Sequence, residues 1–100
     1  MAEQTPELAV NFIREGTSLK IEPQVSNAGG STLGYELEIR VSQAGSTSVT
    51  TQSGYSAIPD DSPTVLTHSS TSFNDHRQCA VKLRVTKGER AVAEIEERYP

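Results

Sequence analysis

The chain is short of most residues that announce a chemistry. Its 100 residues include one cysteine, Cys79, two histidines, five aromatic residues and no tryptophan. A single thiol forms no intramolecular disulfide, so the core alone must hold the fold. It also fits reducing and oxidising compartments alike. His68 and His76, even with Asp60, Asp61 and Asp75, have no spacing that puts three or four metal ligands on one element, and they read as turn or surface residues. No G-x-S-x-G elbow is present, NDH at 74–76 is a turn sequence, and NAGG at 27–30 does not precede a helix. Neither an enzyme nor a cofactor is therefore expected.

Long apolar runs are also missing. None approaches the ~18 residues a membrane-spanning helix requires, so no membrane insertion is expected. The opening MAEQTPELAV lacks a charged stretch followed by an apolar one, so it does not read as a secretory signal. The chain fits a cytosolic protein or the mature part of an exported one, and the residues leave that choice open. Positive charge is scarce, with nine Lys and Arg against thirteen Asp and Glu and a net charge of −4. General nucleic-acid binding needs a basic footprint, so it is excluded as an expectation.

What the chain has in abundance is alternation. LGYELEIRV places Leu33, Tyr35, Leu37, Ile39 and Val41 on one side and Gly34, Glu36, Glu38 and Arg40 on the other. QCAVKLRVT does the same with Cys79, Val81, Leu83 and Val85, and SLKIEPQVS with Leu19, Ile21, Pro23 and Val25. A period of two is that of a half-buried strand. It makes Cys79 a small core residue rather than a reactive thiol. Pro23 has no N–H for a ladder, which predicts an edge position or a bulge. Weaker strands are expected in ELAVNFI (Leu8, Val10, Phe12), in TVLTHSSTSF (Val65, Leu66, Phe73) and in AVAEIEERY. The last puts Ala91, Ala93, Ile95 and Tyr99 together, with Val92 breaking parity as a bulge. ERAVAEIEERY also contains helix-favouring residues, but it is short, lacks an N-cap and follows the hairpin signal Lys87–Gly88. Turn residues punctuate at NAGG, QAGS, IPDDSP, NDHR and KGER.

About seven short strands in one hundred residues predict an all-β, immunoglobulin-like antiparallel sandwich. Residues 1–7 are expected to form a flexible N-terminus and residues 8–100 a single domain. A hydrophobic fraction of 34% suits a thin two-layer fold, which spends few apolar residues on its core.

Two surfaces have a plain and a functional reading. If VKLRV pairs with YELEIRV, the outward face carries Arg40, Lys82 and Arg84 beside Glu36 and Glu38. Plainly read, this is a solvated face with cross-strand ion pairs worth about 0.2–1 kcal/mol each. Functionally read, it is a charge pattern that steers a polar partner. The stretch GSTSVTTQSG, Gly45 to Gly54, is β-prone and uncharged, with Val49 its one aliphatic side chain. It is either a peripheral strand kept from sticking by its polarity, or an edge at which another extended chain pairs. Composition leaves both open.

In chain order, LKIEPQV, YELEIRVSQAGSTSVTTQSG, the polar segment through SFNDH, CAVKLRV and AEIEERYP resemble the curli-associated CsgC/CsgH proteins, the CsgH branch more closely. The resemblance runs from about Leu8 to Pro100. It implies an immunoglobulin-like sandwich, a periplasmic location and a non-enzymatic role as a chaperone-like inhibitor of curli-subunit amyloid polymerisation. The implied partner is an amyloid-forming curli subunit, met by a monomer. The Cys-x-Cys pair of the CsgC branch is absent: Cys79 is followed by Ala80 and Val81, so no redox activity transfers. Joining the strand reading to this role assigns client binding to Arg40, Lys82, Arg84, Ser48, Thr50 and Gln52. The rival expectation is a structural or adhesive immunoglobulin-like module of a surface protein.

Overall fold

The computed structural model describes residues 6–26, 32–58 and 63–99, and the NAGG signal at 27–30 lies outside them. The described residues form eight strands: β1 (Glu7–Glu15), β2 (Ser18–Ser26), β3 (Thr32–Gln43), β4 (Ser46–Ala57), β5 (Thr64–Val65), β6 (Ser69–Ser72), β7 (Gln78–Lys87) and β8 (Arg90–Tyr99). One sheet runs β1-β2-β5 with β6 also on β2; the other runs β4-β3-β7-β8. All pairings are antiparallel. The two sheets form an immunoglobulin-like sandwich.

The core follows the alternation. Leu19, Ile21 and Val25 of β2 face Leu33, Leu37 and Ile39 of β3 and Cys79, Val81, Leu83 and Val85 of β7, all buried. Full burial of one such aliphatic side chain stabilises by about 1.5–3 kcal/mol. Leu8, Val10 and Phe12 of β1 pack against this layer as expected. At the end where β8 finishes, the Tyr99 ring lies 5.5 Å from Phe12 and 5.3 Å from Phe73.

Eight strands replace the expected seven because the TVLTHSSTSF segment is interrupted. β2 is not an edge: it pairs with β1 on one side and with β5 and β6 on the other. The Pro23 carbonyl accepts the Leu66 N–H at 2.9 Å, so the side of Pro23 that lacks an N–H faces this second partner. There the registers of β5 and β6 on β2 are offset by one residue. The missing donor thus coincides with an irregularity in the neighbouring strand, as a proline inside a sheet requires.

The helix-favouring last segment is strand β8. Its register on β7 slips between Val85 and Thr86, which leaves Val92 as the additional residue. This bulge turns Val92 towards the core and leaves Ala91 exposed, so the inward set is Val92, Ala93, Ile95 and Tyr99 rather than one containing Ala91. The β3–β4 turn is a two-residue loop with positive φ at both positions, Ala44 (48°) and Gly45 (84°), the type I′ pattern that matches strand twist.

Candidate functional site

The long sheet has an outer face whose composition follows from register. Arg40 lies opposite Val49 and Ala80, and Ala80 lies opposite Arg98. The next row is Thr51, Glu38, Lys82 and Glu96, and the one after is Ser53, Glu36, Arg84 and Glu94. The three expected cations do share one face. They do not make a positive patch, because Glu36, Glu38, Glu94 and Glu96 balance them and Arg98. Arg40 pairs with Glu38 at 3.5 Å, Lys82 with Glu94 at 3.5 Å and Arg98 with Glu96 at 3.3 Å. Among the described residues Arg84 makes no ion pair within 4 Å, although its cross-strand neighbours are Glu36 and Glu94. Each such exposed pair is worth at most about 1 kcal/mol, so all four cations remain available for exchange onto another partner. Over the small Ala80 side chain the larger neighbours leave a recess of about 550 Å³, lined among others by Arg40, Lys82 and Arg98.

Ser48, Thr50 and Gln52 lie on the opposite face. They pair with Val41, Ile39 and Leu37 of β3 and therefore point to the inside of the sandwich. What they meet there is not core. Across from them β6 turns Thr71 and Ser69 inward beside Leu19 and Ile21. Between the two strands lies a cleft of about 390 Å³, lined mainly by Ser, Thr and Gln side chains together with Ile39 and Val41 of β3. Ser69 Oγ donates to Gln52 Oε1 at 3.0 Å. Arg77 Nε donates to Gln43 Oε1 at 2.8 Å, and its Nη1 donates to the Ser72 carbonyl at 2.9 Å. The six expected residues thus form two groups on opposite faces of one sheet, three charged outside and three polar inside.

Local reading found β4 but missed its opposite wall. Ser69, Thr71, Gln43 and Arg77 complete the cleft, and the SSTS run carries the same uncharged hydroxyl character as STSVTTQ. Arg98 was visible only as a late charge; it joins the outer face through the β8 register.

Of the remaining candidates, Cys79 borders the outer recess from the core side, and neither histidine lines the recess or the cleft. Cys79 is buried, and burial pushes its thiol pKa up, which disfavours the nucleophilic thiolate. His68 is exposed, with Nδ1 3.6 Å from Glu22 Oε1. His76 closes a turn whose backbone N–H donates to Asn74 Oδ1 at 2.8 Å. Among the described residues no three His, Cys, Asp or Glu side chains gather as metal ligands. Asp60 and Asp61 lie outside the described residues.

The fold defines an immunoglobulin-like sandwich with one charged face and one polar flank. It is similar to two solved structures. The E. coli curli protein CsgC matches with a TM-score of 0.70 and 16% identity, over 95% of this chain and 98% of that one. The solution structure of R. palustris CsgH matches with a TM-score of 0.73 and 15% identity, over 93% of this chain and 89% of that one. The expected resemblance therefore holds in the fold, and at this identity the likeness carries the fold alone. No protein-family profile and no curated protein sequence matches the chain.

Proposed function

We propose that this protein is a chaperone-like inhibitor that keeps a curli subunit from polymerising into amyloid. It acts in the periplasm, as a monomer and without a cofactor, by transient binding to extended or nucleating client chains. The observation that carries this reading is the fold likeness to two curli proteins over nearly the whole length of each. The outer face gives it a physical basis. Arg40 and Lys82 stand in exposed pairs with Glu38 and Glu94 that exchange readily, and Arg84 lies beside Glu36 and Glu94 without an ion pair among the described residues, so a polar client with complementary charges can engage all three. Because the face is balanced, its field fades within a few ångströms and acts on contact rather than by long-range steering.

Thioflavin fluorescence of a polymerising curli subunit tests the reading. The expected result is a lengthened lag phase at well below one inhibitor per client, as expected for action on rare nuclei. An unchanged lag at equimolar protein overturns it. Lys82→Glu with Arg84→Glu makes the face strongly acidic and is expected to shorten the lag towards that of the client alone. An undiminished lag in this variant removes Lys82 and Arg84 from the site.

A further inference from the structure

Every open sheet has edges, and this molecule treats its edges unequally. β8 carries Glu94, Glu96, Glu97 and Arg98 and a bulge at Val92, and Glu97, opposite Val81, is a charge on the inward side. β1 carries Glu7, Arg14 and Glu15 and packs alongside β8. These are the devices that blunt an edge against pairing with another strand. β4 has none of them. Over its twelve residues, STSVTTQSGYSA, it holds no charge and no proline, and among the described residues it pairs only with β3. Every second residue of an edge strand directs its N–H and C=O away from its one neighbour.

We propose that the β4 edge, with the cleft between β4 and β6, seats one extended segment of a client chain. Its cleft-facing side chains are small, polar and uncharged. This rests on the reading of the protein as a client binder and adds which chemistry is read, and where. A strand added beside β4 alternates its side chains between the two faces of the sheet. On the inner face they meet the hydroxyls and amides of Ser48, Thr50, Gln52, Ser69 and Thr71, set around Ile39 and Val41. An apolar side chain placed there would strip water from these groups without replacing their hydrogen bonds, whereas Ser, Thr, Asn or Gln satisfies them. The charged wall residue, Arg77, already donates to Gln43 and to the Ser72 carbonyl. On the outer face the added strand runs beside Val49 and Tyr55, which are 52% and 82% exposed and so offer apolar contact to its other side chains. The cleft holds the volume of about a dozen waters. From Ser46 to Gln52 it follows β4 for roughly 20 Å at ~3.4 Å per residue, enough for three or four inward side chains.

The probe is a blocked peptide of about nine residues, a strand's length, alternating Ser or Gln with Val or Tyr. A control keeps the composition and scrambles the alternation. Binding is followed by amide chemical shifts of the full chain. The expected result is saturable shifts along residues 46–57 and 69–72 with the alternating peptide, and binding at least tenfold weaker with the scrambled one. Thr50→Lys places a charge on the inward side of the edge, and Val49→Lys places one on its outer side; each is expected to weaken peptide binding at least tenfold with an unchanged fold in the spectrum. Shifts confined to the outer-face cations, equal binding of both peptides, or full binding by both lysine variants overturn the proposal. So does a β4-to-β4 dimer of the free protein, detected by sedimentation and dissolved by Thr50→Lys, since a second copy would then occupy the edge. Thioflavin assays on the same samples keep the two readings apart. Inhibition without peptide binding at β4 overturns the seat and leaves the function standing; peptide binding without inhibition does the reverse.

Discussion

Ala44 occupies a backbone position that L-residues with a Cβ rarely adopt, at φ +48° in the β3–β4 turn. Asparagine and glycine take this first position of a type I′ turn with less strain. Ala44→Asn is therefore expected to raise unfolding free energy by roughly 0.5–1 kcal/mol, which moves the melting temperature of a domain this size up by a few degrees. Thermal unfolding followed by circular dichroism measures it. The glycines of β3 and β4 do different work. Gly34 pairs with Tyr55 and Tyr35 with Gly54, on opposite faces of the same strand pair. A methyl group at Gly54 would lie 2.9 Å from the Tyr35 hydroxyl oxygen, and one at Gly34 would lie 2.5 Å from Thr86 Oγ1 and 3.2 Å from the Tyr55 ring. Each aromatic ring covers the backbone its glycine leaves bare. The inward faces of β3 and β7 could be read locally, because their inward positions are apolar and their outward ones largely polar or charged. The tyrosine–glycine pairs could not, since they exist only once register is set. Nor could the reach of Arg77 to Gln43 across 34 positions.

At the scale of the strand, parity errors are informative. Val92 was readable as a bulge from sequence, but which neighbour it would expose depended on where the β7 ladder slips, and that is a property of the pair. Deleting Val92 removes a side chain packed against the core and straightens the β8 edge. The expected outcome is about 1–3 kcal/mol lower stability in chemical denaturation, with concentration-dependent association in size-exclusion chromatography because the edge loses a guard. Pro23 teaches the complementary lesson. Its missing N–H predicted a break in pairing, and the break exists, but in the partner strand beside a central β2. β4 was found by β-propensity alone. Its inward polarity looked like a lack of anything to bury, and it became intelligible only when β6 supplied a polar wall opposite.

For the molecule as a whole, the strands differ in how many neighbours hold them. Among the described residues β3 and β7 are flanked on both sides, while β4 has one flank bonded and is largely exposed. Amide hydrogen exchange is expected to be slowest in Leu37–Ile39 and Val81–Val85 and fastest among the stranded amides of Ser46–Thr51, the ordering local contact density dictates. Equal protection along β4 and β7 would contradict it. The charge of the chain is also unevenly placed. The outer face of the long sheet carries four cations and four carboxylates in its paired rows, so the net −4 resides elsewhere.

The contrast between the two flanks has a mechanical consequence. Along β1 and β8 the sheets are joined by apolar packing and the Phe12–Tyr99 contact, which resist shear and separation together. Along β4 and β6 the ties are side-chain hydrogen bonds, Ser69 to Gln52, worth about 1 kcal/mol net, and the charge-assisted Arg77 to Gln43, worth about 1.5–3 kcal/mol. The sandwich is thus a jaw with an oily hinge on one side and a lightly latched mouth on the other. Its softest deformation is expected to be a gape between β4 and β6, with the β1–β8 side staying shut.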